Sequence, residues 1–285
     1  MDWHAQLSGE VQHGDLRDSR KVITTRCRVL IIASVALISL ALTGCESPDS
    51  RIAMPANGKP STATAIPLAS SGVPPILLFT GTGTSANDVA AIETILSNSQ
   101  LSYSTANSSE LNDMSESQLT AYLLLIVPGG NFITIGNNLR SSTTASIRNA
   151  VQNGLNYLGI CAGGFLAGSS QYNSLDLTSG VRFGFYADED RGIRKTAVAI
   201  TAAGGPTLDQ YWEDGPQFAG WGAVVAKYPN GTPAIVEGTS GKGWVILSGV
   251  HPEAPEYWRR GMTFTTPASV DNAYAGTLID LSPIV

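Results

Sequence analysis

Residues 156–168 read NYLGICAGGFLAG, and this stretch decides the class of fold. It begins as a short apolar run, which is typical of a strand buried on both faces. The residues after Cys161 continue as a helix with no spacer. A sharp strand-to-helix turn needs small neighbours because strand and helix come close together, and Gly159, Ala162 and Gly163 meet this need. The pattern therefore predicts that Cys161 projects from the carboxyl end of a strand.

Strands and helices alternate before this turn, while short strands separated by turns follow it. Strands are predicted at 74–83, 101–106 and 123–130, with helices at 85–97, 115–122 and 142–153 between them. Alternation of this kind is typical of βαβ units around a parallel sheet. After the turn, strands are predicted at 181–188, 194–201, 220–228, 232–238 and 241–251, and a helix at 255–260. We therefore predict an α/β fold: a flavodoxin-like, doubly wound and mostly parallel sheet with an added antiparallel β segment.

The first part of the chain has the composition of an export signal. A basic patch precedes the uncharged run at 29–42, and Leu42-Thr43-Gly44-Cys45 resembles a bacterial lipobox. This resemblance implies a signal peptide at 1–44 and a lipid on Cys45 that includes palmitate. The alternative is an uncleaved N-terminal anchor. Residues 45–75 are rich in Ser, Pro, Ala and Thr, which predicts a flexible tether to a domain at 76–285.

Charge and cysteine content narrow the classes of function. The chain has 17 Lys and Arg against 23 Asp and Glu, and it lacks the concentrated basic face that nucleic-acid binding requires. Of its three cysteines, Cys27 would leave with the signal and Cys45 would carry lipid. Cys161 would then be a free thiol without an intramolecular partner. In an oxidising compartment such a thiol is a liability unless it is buried or useful.

Two further features follow buried strands, as Cys161 does. His251 is the one histidine of the predicted domain, and Glu253 lies two residues on. The carboxyl ends of the strands line the ligand crevice of open α/β sheets, so Cys161, His251 and Glu253 can meet there as nucleophile, base and orienting group. A position at a helix N-terminus predicts a lowered pKa for the Cys161 thiol. The alternatives are a buried structural cysteine and an ordinary core histidine.

Backbone amide groups near the predicted nucleophile are expected to complete the active site. Gly129 and Gly130 follow a buried strand, and glycines there leave N–H groups free to point into the crevice. Together with the N–H of Ala162 they are predicted to form an oxyanion hole. The alternative is a plain Pro-Gly turn.

The motifs VPGG at 127–130, GICAGG at 159–164 and SGVHPE at 248–253 together resemble the class I glutamine amidotransferase-like superfamily. The chain is most similar to its biotin-protein ligase N-terminal-like branch, which the segment DQYWEDGPQF at 209–218 also resembles. The resemblance implies a Cys161–His251–Glu253 triad on a flavodoxin-like sheet. Glutamine-using members usually place a Gln after the turn, whereas this chain has Gly163-Gly164-Phe165-Leu166. Glutamine hydrolysis is therefore not implied.

The sequence thus predicts a lipid-anchored domain on the extracytoplasmic side of the bacterial cell envelope. We expect a thiol-dependent hydrolase of amide or peptide-like bonds, with Tyr211, Trp212 and Phe218 lining the pocket. Its partners would be a small-molecule or peptide-like substrate and, through Cys45, the membrane, with no cofactor, metal or nucleic acid. The alternative is an inactive module that binds small molecules or peptides, and a weaker one is a redox sensor based on Cys161. The oligomeric state stays open.

Overall fold

A computed structural model describes residues 74–281 of the chain. The predicted signal peptide at 1–44, Cys45 and nearly all of the predicted tether lie outside these residues. The parallel part of the fold comprises β1 (Ile76–Phe79), α1 (Ala86–Asn98), β2 (Tyr103–Ala106), α2 (Ser108–Asp113), α3 (Glu116–Leu119), β3 (Leu124–Val127), α4 (Phe132–Asn137), α5 (Ser141–Asn153), β4 (Asn156–Ile160) and α6 (Ala162–Ala167). The rest comprises β5 (Gly184–Phe185), β6 (Lys195–Ala202), β7 (Thr207–Glu213), β8 (Pro216–Gln217), β9 (Ala223–Lys227), β10 (Pro233–Ser240), β11 (Gly243–Ser248) and α7 (Ala268–Leu281), with 3₁₀ turns at Glu189–Arg191 and Glu256–Arg259.

Nine strands form one sheet in the order β2-β1-β3-β4-β11-β10-β9-β6-β7. The first five strands of that order pair in parallel, and the remaining pairs are antiparallel. The parallel part has the flavodoxin-like order, in which the connections change direction between β1 and β3. The predicted fold class is therefore confirmed. Strands β5 and β8 form a separate pair.

The parallel strands are apolar because helices cover both faces of the sheet. Strands β1, β3 and β4 are buried at every position. Helix α1 packs the face that carries Ile92, Ile95 and Leu96 inwards, and the Ser85 hydroxyl caps its start by accepting the amide of Asp88 at 3.4 Å. The predicted helix at 85–97 and its cap are thus confirmed.

The structure contains elements that the sequence patterns did not predict. Helices α2 and α4 are six residues each, too short to show a 3.6-residue period, and α7 and β7 were also missed. The predicted strand at 181–188 pairs only at Gly184–Phe185, and the predicted helix at 255–260 is a 3₁₀ turn. Among the helices of residues 74–281, none has both the length and the apolar character needed to cross a membrane.

Candidate active site

Cys161 occupies the sharp turn between β4 and α6. Its backbone has φ 49° and ψ −102°, a conformation that L-residues rarely adopt and that costs about 1–3 kcal/mol. A Cβ on Gly159 would lie 2.5 Å from the carbonyl oxygen of Gly163, so only glycine allows this close approach. The Tyr157 hydroxyl donates to the same carbonyl at 2.7 Å, and the Cys161 amide donates to Ser248 on β11 at 2.7 Å. Hydrogen bonds that involve Tyr157 on β4 and Ser248 on β11 therefore hold the strained turn in place.

His251 follows β11 and is 4% exposed. Its amide donates to the carbonyl of Tyr211 at 2.8 Å, which fixes the backbone against β7. Its Nδ1 lies 2.9 Å from Oε1 of Glu253, within good hydrogen-bond geometry. A proton on Nδ1 would be held by Oε1 of Glu253, and the other ring nitrogen of the neutral imidazole would then be a proton acceptor. The structure therefore brings His251 and Glu253 into contact, and a triad of these two residues with Cys161 stays a prediction.

A second carboxylate, which the sequence did not predict, also contacts His251. Oδ1 of Asp88 lies 3.0 Å from the same Nδ1, and the Asp88 side chain is 8% exposed. Asp88 stands in the first turn of α1, where acidic residues are common, so its position carried no functional signal. Gly129 provides the space, because a Cβ there would lie 2.1 Å from Oδ1 of Asp88 and 2.7 Å from Cε1 of His251.

Burial and charge shift the pKa values of these groups in different directions. Burial raises the pKa of the Cys161 thiol, and the nearby His251, which lowers it, does not outweigh this. The lowered thiol pKa expected from the helix N-terminus is therefore wrong, because burial outweighs it. Burial lowers the pKa of His251, but the charges of Glu253, Cys161 and Asp88 raise it well above its usual range. His251 is thus a strong proton acceptor.

The same carboxylates and imidazole have the spacing of a metal-ligand set. Donor atoms of Asp88, His251 and Glu253 lie within 4.8 Å of one another. The hydrogen bond from Nδ1 to Glu253, however, uses the ring nitrogen that would bind an ion. A proton accounts for this geometry, and we assign no metal to the site.

An open cleft of about 440 Å³ leads to this cluster from the surface. Its lining includes Asp88, His251 and Tyr211, together with Ser85, Asn87, Lys195, Glu213, Tyr257, Trp258 and Arg260. Cys161 is not part of that lining. It is 5% exposed, and its thiol points to the carbonyl oxygen of Glu213 at 3.5 Å. The end of β7, just before the turn that contains Asp214, therefore covers the thiol on this side.

The predicted oxyanion and pocket residues lie in different surroundings. Gly129 is buried and Gly130 is exposed at the end of β3, and Ala162 is the first residue of α6. The amide of Ser85 donates to Gly129 at 2.9 Å, which ties the loop after β3 to the loop after β1. Their role as an oxyanion hole stays a prediction.

Only one of the three predicted pocket aromatics lines the cleft. Tyr211 does so, with its hydroxyl donating to Oε2 of Glu213 at 2.6 Å. Trp212 and Phe218 are fully buried instead, because they pack edge-on against Tyr186 and Phe183 in the core. Trp258, which no pattern in the sequence singled out, is the aromatic side chain that closes the cleft beside His251, with ring centroids 5.9 Å apart.

Comparisons with known proteins agree with this α/β fold. Residues 75–192 match the family described as "Biotin-protein ligase, N terminal". The solved structure of PurLQS from Thermotoga maritima is similar at a TM-score of 0.51 and 17% identity, over 73% of this chain and 99% of that chain. These matches fit the glutamine amidotransferase-like fold that the motifs led us to expect.

Two further solved structures show weaker likeness. A putative GMP synthase component from Thermoplasma acidophilum aligns with a TM-score of 0.44 at 12% identity, over 74% of this chain and 98% of that chain. The exo-β-1,4-mannosidase Op5Man5 from Opitutaceae bacterium strain TAV5 aligns with a TM-score of 0.45 at 13% identity, over 72% of this chain. The chain spans only 36% of that mannosidase. No curated protein matches the chain in sequence.

Proposed function

We propose that the domain is a thiol-dependent hydrolase of amide or peptide-like bonds. The observation that carries this proposal is Cys161, held in a strained backbone conformation at a strand-to-helix turn beside a buried His251–Glu253 hydrogen bond. Strain at a single residue persists where the surrounding structure enforces it, and such residues cluster at active sites. The family match over residues 75–192 supports an amide-related role.

In the proposed reaction the Cys161 sulfur attacks the carbonyl carbon of the substrate. His251 takes the thiol proton and passes it to the leaving amine as the carbon–nitrogen bond breaks, which leaves a thioester on Cys161. The amides of Gly130 and Ala162 would stabilise the oxyanion, with Gly129 shaping the loop. His251 then deprotonates a water that hydrolyses the thioester, and the proton returns to the sulfur. Glu253 keeps the Nδ1 proton in place throughout.

The rate of Cys161 alkylation tests whether this thiol is activated. Iodoacetamide is applied to the full chain near neutral pH, and the Cys161 peptide is quantified by mass spectrometry so that other cysteines do not interfere. We expect His251→Ala to slow the labelling of Cys161 by about 100-fold or more, because a positioned base contributes roughly 100- to 10,000-fold. Cys161→Ser gives the background. Equal and slow labelling with and without the imidazole would refute the proposal.

The second candidate is a binding module that has kept the fold without turnover. It is favoured by one observation: the cleft reaches Asp88 and His251 but not the thiol, which faces the Glu213 carbonyl. A binding module predicts that saturating ligand protects Cys161 from iodoacetamide without release of an amine. A hydrolase predicts a covalent thioester that can be trapped as a mass increase on the Cys161 peptide.

We further propose that the domain is anchored to a bacterial membrane and faces the extracytoplasmic side. The support is the lipobox-like sequence before Cys45 and the Ser- and Pro-rich stretch that follows it. Cells fed with radiolabelled palmitate should label the wild-type chain and should not label Cys45→Ala. Retention of membrane association without label in that variant would favour an uncleaved anchor.

A further inference from the structure

His251 is the centre of a buried group of charges that contains one carboxylate more than a triad needs. Both Glu253 and Asp88 place an oxygen about 3 Å from Nδ1 of His251, at 2.9 Å and 3.0 Å. We infer that the two carboxylates have different roles: Glu253 orients the ring, and Asp88 is a positioning residue whose added negative charge stabilises the protonated form that His251 reaches during the reaction. The catalytic role of this charge rests on the proposed function, whereas its effect on the His251 pKa can be measured independently of that function.

The surroundings of Glu253 disfavour a charge there. Its side chain is fully buried, and its Oε2 has no hydrogen-bond partner among the described residues. Glu253 also borders a very small apolar cavity whose other lining is almost entirely aliphatic, from Ile92, Ile126, Ile160 and Leu278 among others. A buried carboxylate without compensating partners is costly to ionise. A protonated Glu253 can still hold the ring through its other oxygen.

The surroundings of Asp88 favour a charge. It lies in the first turn of the 13-residue helix α1, where the exposed amides and the helix dipole stabilise an anion. Ser85 caps the same turn, and the Asp88 side chain lies at the cleft rather than in the apolar core. Oδ1 of Asp88 lies 3.0 Å from Nδ1 of His251, so the two groups are close enough to stabilise each other when both are charged.

The shifts in pKa agree with this division. Burial raises the pKa of both carboxyl groups, but the charge of His251 and hydrogen bonds from His251 and Ser85 bring that of Asp88 below its usual value. For Glu253 burial prevails over the charge of His251, and its pKa stays above its usual value. The backbone supports the same pair, since Gly129 has no side chain that would separate Asp88 from His251.

Other titratable or charged groups also face this part of the molecule. They are Cys161 on the strand-to-helix turn, Tyr211 and Glu213 on β7, Lys195 on β6 and Arg260 beyond the 3₁₀ turn. Among the charges that raise the pKa of His251, that of Glu253 comes first, followed by those of Cys161 and Asp88, and a hydrogen bond with Asp88 adds to them. Glu213 is therefore a matched control, because it is a carboxylate that lines the same cleft.

The test is the pH titration of the His251 ring by nuclear magnetic resonance, in the full chain and with EDTA present. His251→Ala assigns the signal, and Asp88→Asn, Glu253→Gln and Glu213→Gln are compared with the wild type. An opposite charge this close shifts a pKa by about 1–3 units, so we expect Asp88→Asn to lower the His251 pKa by at least about one unit. Glu253→Gln should lower it as well, because its charge also raises the His251 pKa, whereas Glu213→Gln should change it hardly at all.

Alkylation of Cys161 gives a second readout. Asp88→Asn should move the pH profile of labelling to lower pH in step with the imidazole, and Asp88→Glu should restore part of the shift. No drop in the His251 pKa with Asp88→Asn in a folded protein would overturn the inference, as would a drop of the same size with Glu213→Gln. If Cys161 proves unreactive in the wild type, the hydrolase proposal fails while the ring titration still decides the role of Asp88.

Discussion

Gly129→Ala tests whether the positions of Asp88 and His251 control the reactivity of Cys161. Gly129 does not have a positive φ, so the backbone accepts alanine and the effect is confined to the new methyl group. That methyl would lie 2.1 Å from Oδ1 of Asp88 and 2.7 Å from Cε1 of His251. Ordinary contact begins near 3.4 Å, so the carboxylate must retreat by about 1.3 Å or the ring must turn away.

The size of the effect follows from this displacement. Overpacking of a buried site costs about 1–3 kcal/mol of unfolding free energy. A misplacement of about 1 Å in a reacting group costs on the order of 100-fold in rate, so we expect alkylation of Cys161 to slow by about 10- to 100-fold. Iodoacetamide forms no oxyanion, so the predicted oxyanion role of the Gly129 loop does not enter the result.

The control is Gly276→Ala in α7, where the new methyl would meet nothing within 4 Å. This helical substitution should stabilise the protein by about 0.5–1 kcal/mol and leave the alkylation rate unchanged. Denaturant unfolding and mass-spectrometric labelling are measured on both variants. If Gly129→Ala loses stability as expected but is labelled at the wild-type rate, the geometry around His251 does not govern the thiol, and the reasoning fails.

Three further outcomes follow from single contacts. Tyr157→Phe removes the donor to the Gly163 carbonyl and should lower the unfolding free energy by about 1–2 kcal/mol in a denaturant titration. Burial raises the pKa of Asp271 to about 6, above its ordinary 3.8, so its contribution to stability falls as pH rises from about 4 to 6. Asp271→Asn should remove that fall, which is at most about 3 kcal/mol for a shift from 3.8 to about 6, and an unchanged pH slope would contradict this. Arg194→Ala breaks the two hydrogen bonds to Asp214, at 2.7 and 2.6 Å, in the turn after β7. It should speed alkylation of the Cys161 thiol and lower the unfolding free energy by less than about 1 kcal/mol. Labelling no faster than in the wild type would show that other contacts hold the turn.

The sequence by itself determined the parallel part of the fold and the strained turn. Continuous apolar runs such as those of β3 and β4 are needed where helices cover both faces of a sheet, so they are visible without coordinates. The turn at Cys161 was visible for a similar reason, because Gly159 and Gly163 meet a local steric demand. His251 and Glu253 could be placed at a strand end because β11 is also an apolar run.

Only the tertiary structure decided which groups surround His251 and how open the site is. Asp88 reaches the ring from a helix at the far end of the domain sequence, and nothing local marks that approach. The burial of Trp212 was missed for the same reason, because its place in the core depends on the pairing of β7. The contact between the Cys161 thiol and the Glu213 carbonyl likewise joins residues that are distant in sequence. Burial, which raises the pKa of that thiol, is a property of all packed neighbours together, whereas the helix N-terminus is local. Residue patterns along the chain therefore predicted the parallel sheet and the strand-to-helix turn. Packing between segments that are distant in sequence decided the pKa values of the groups at the site.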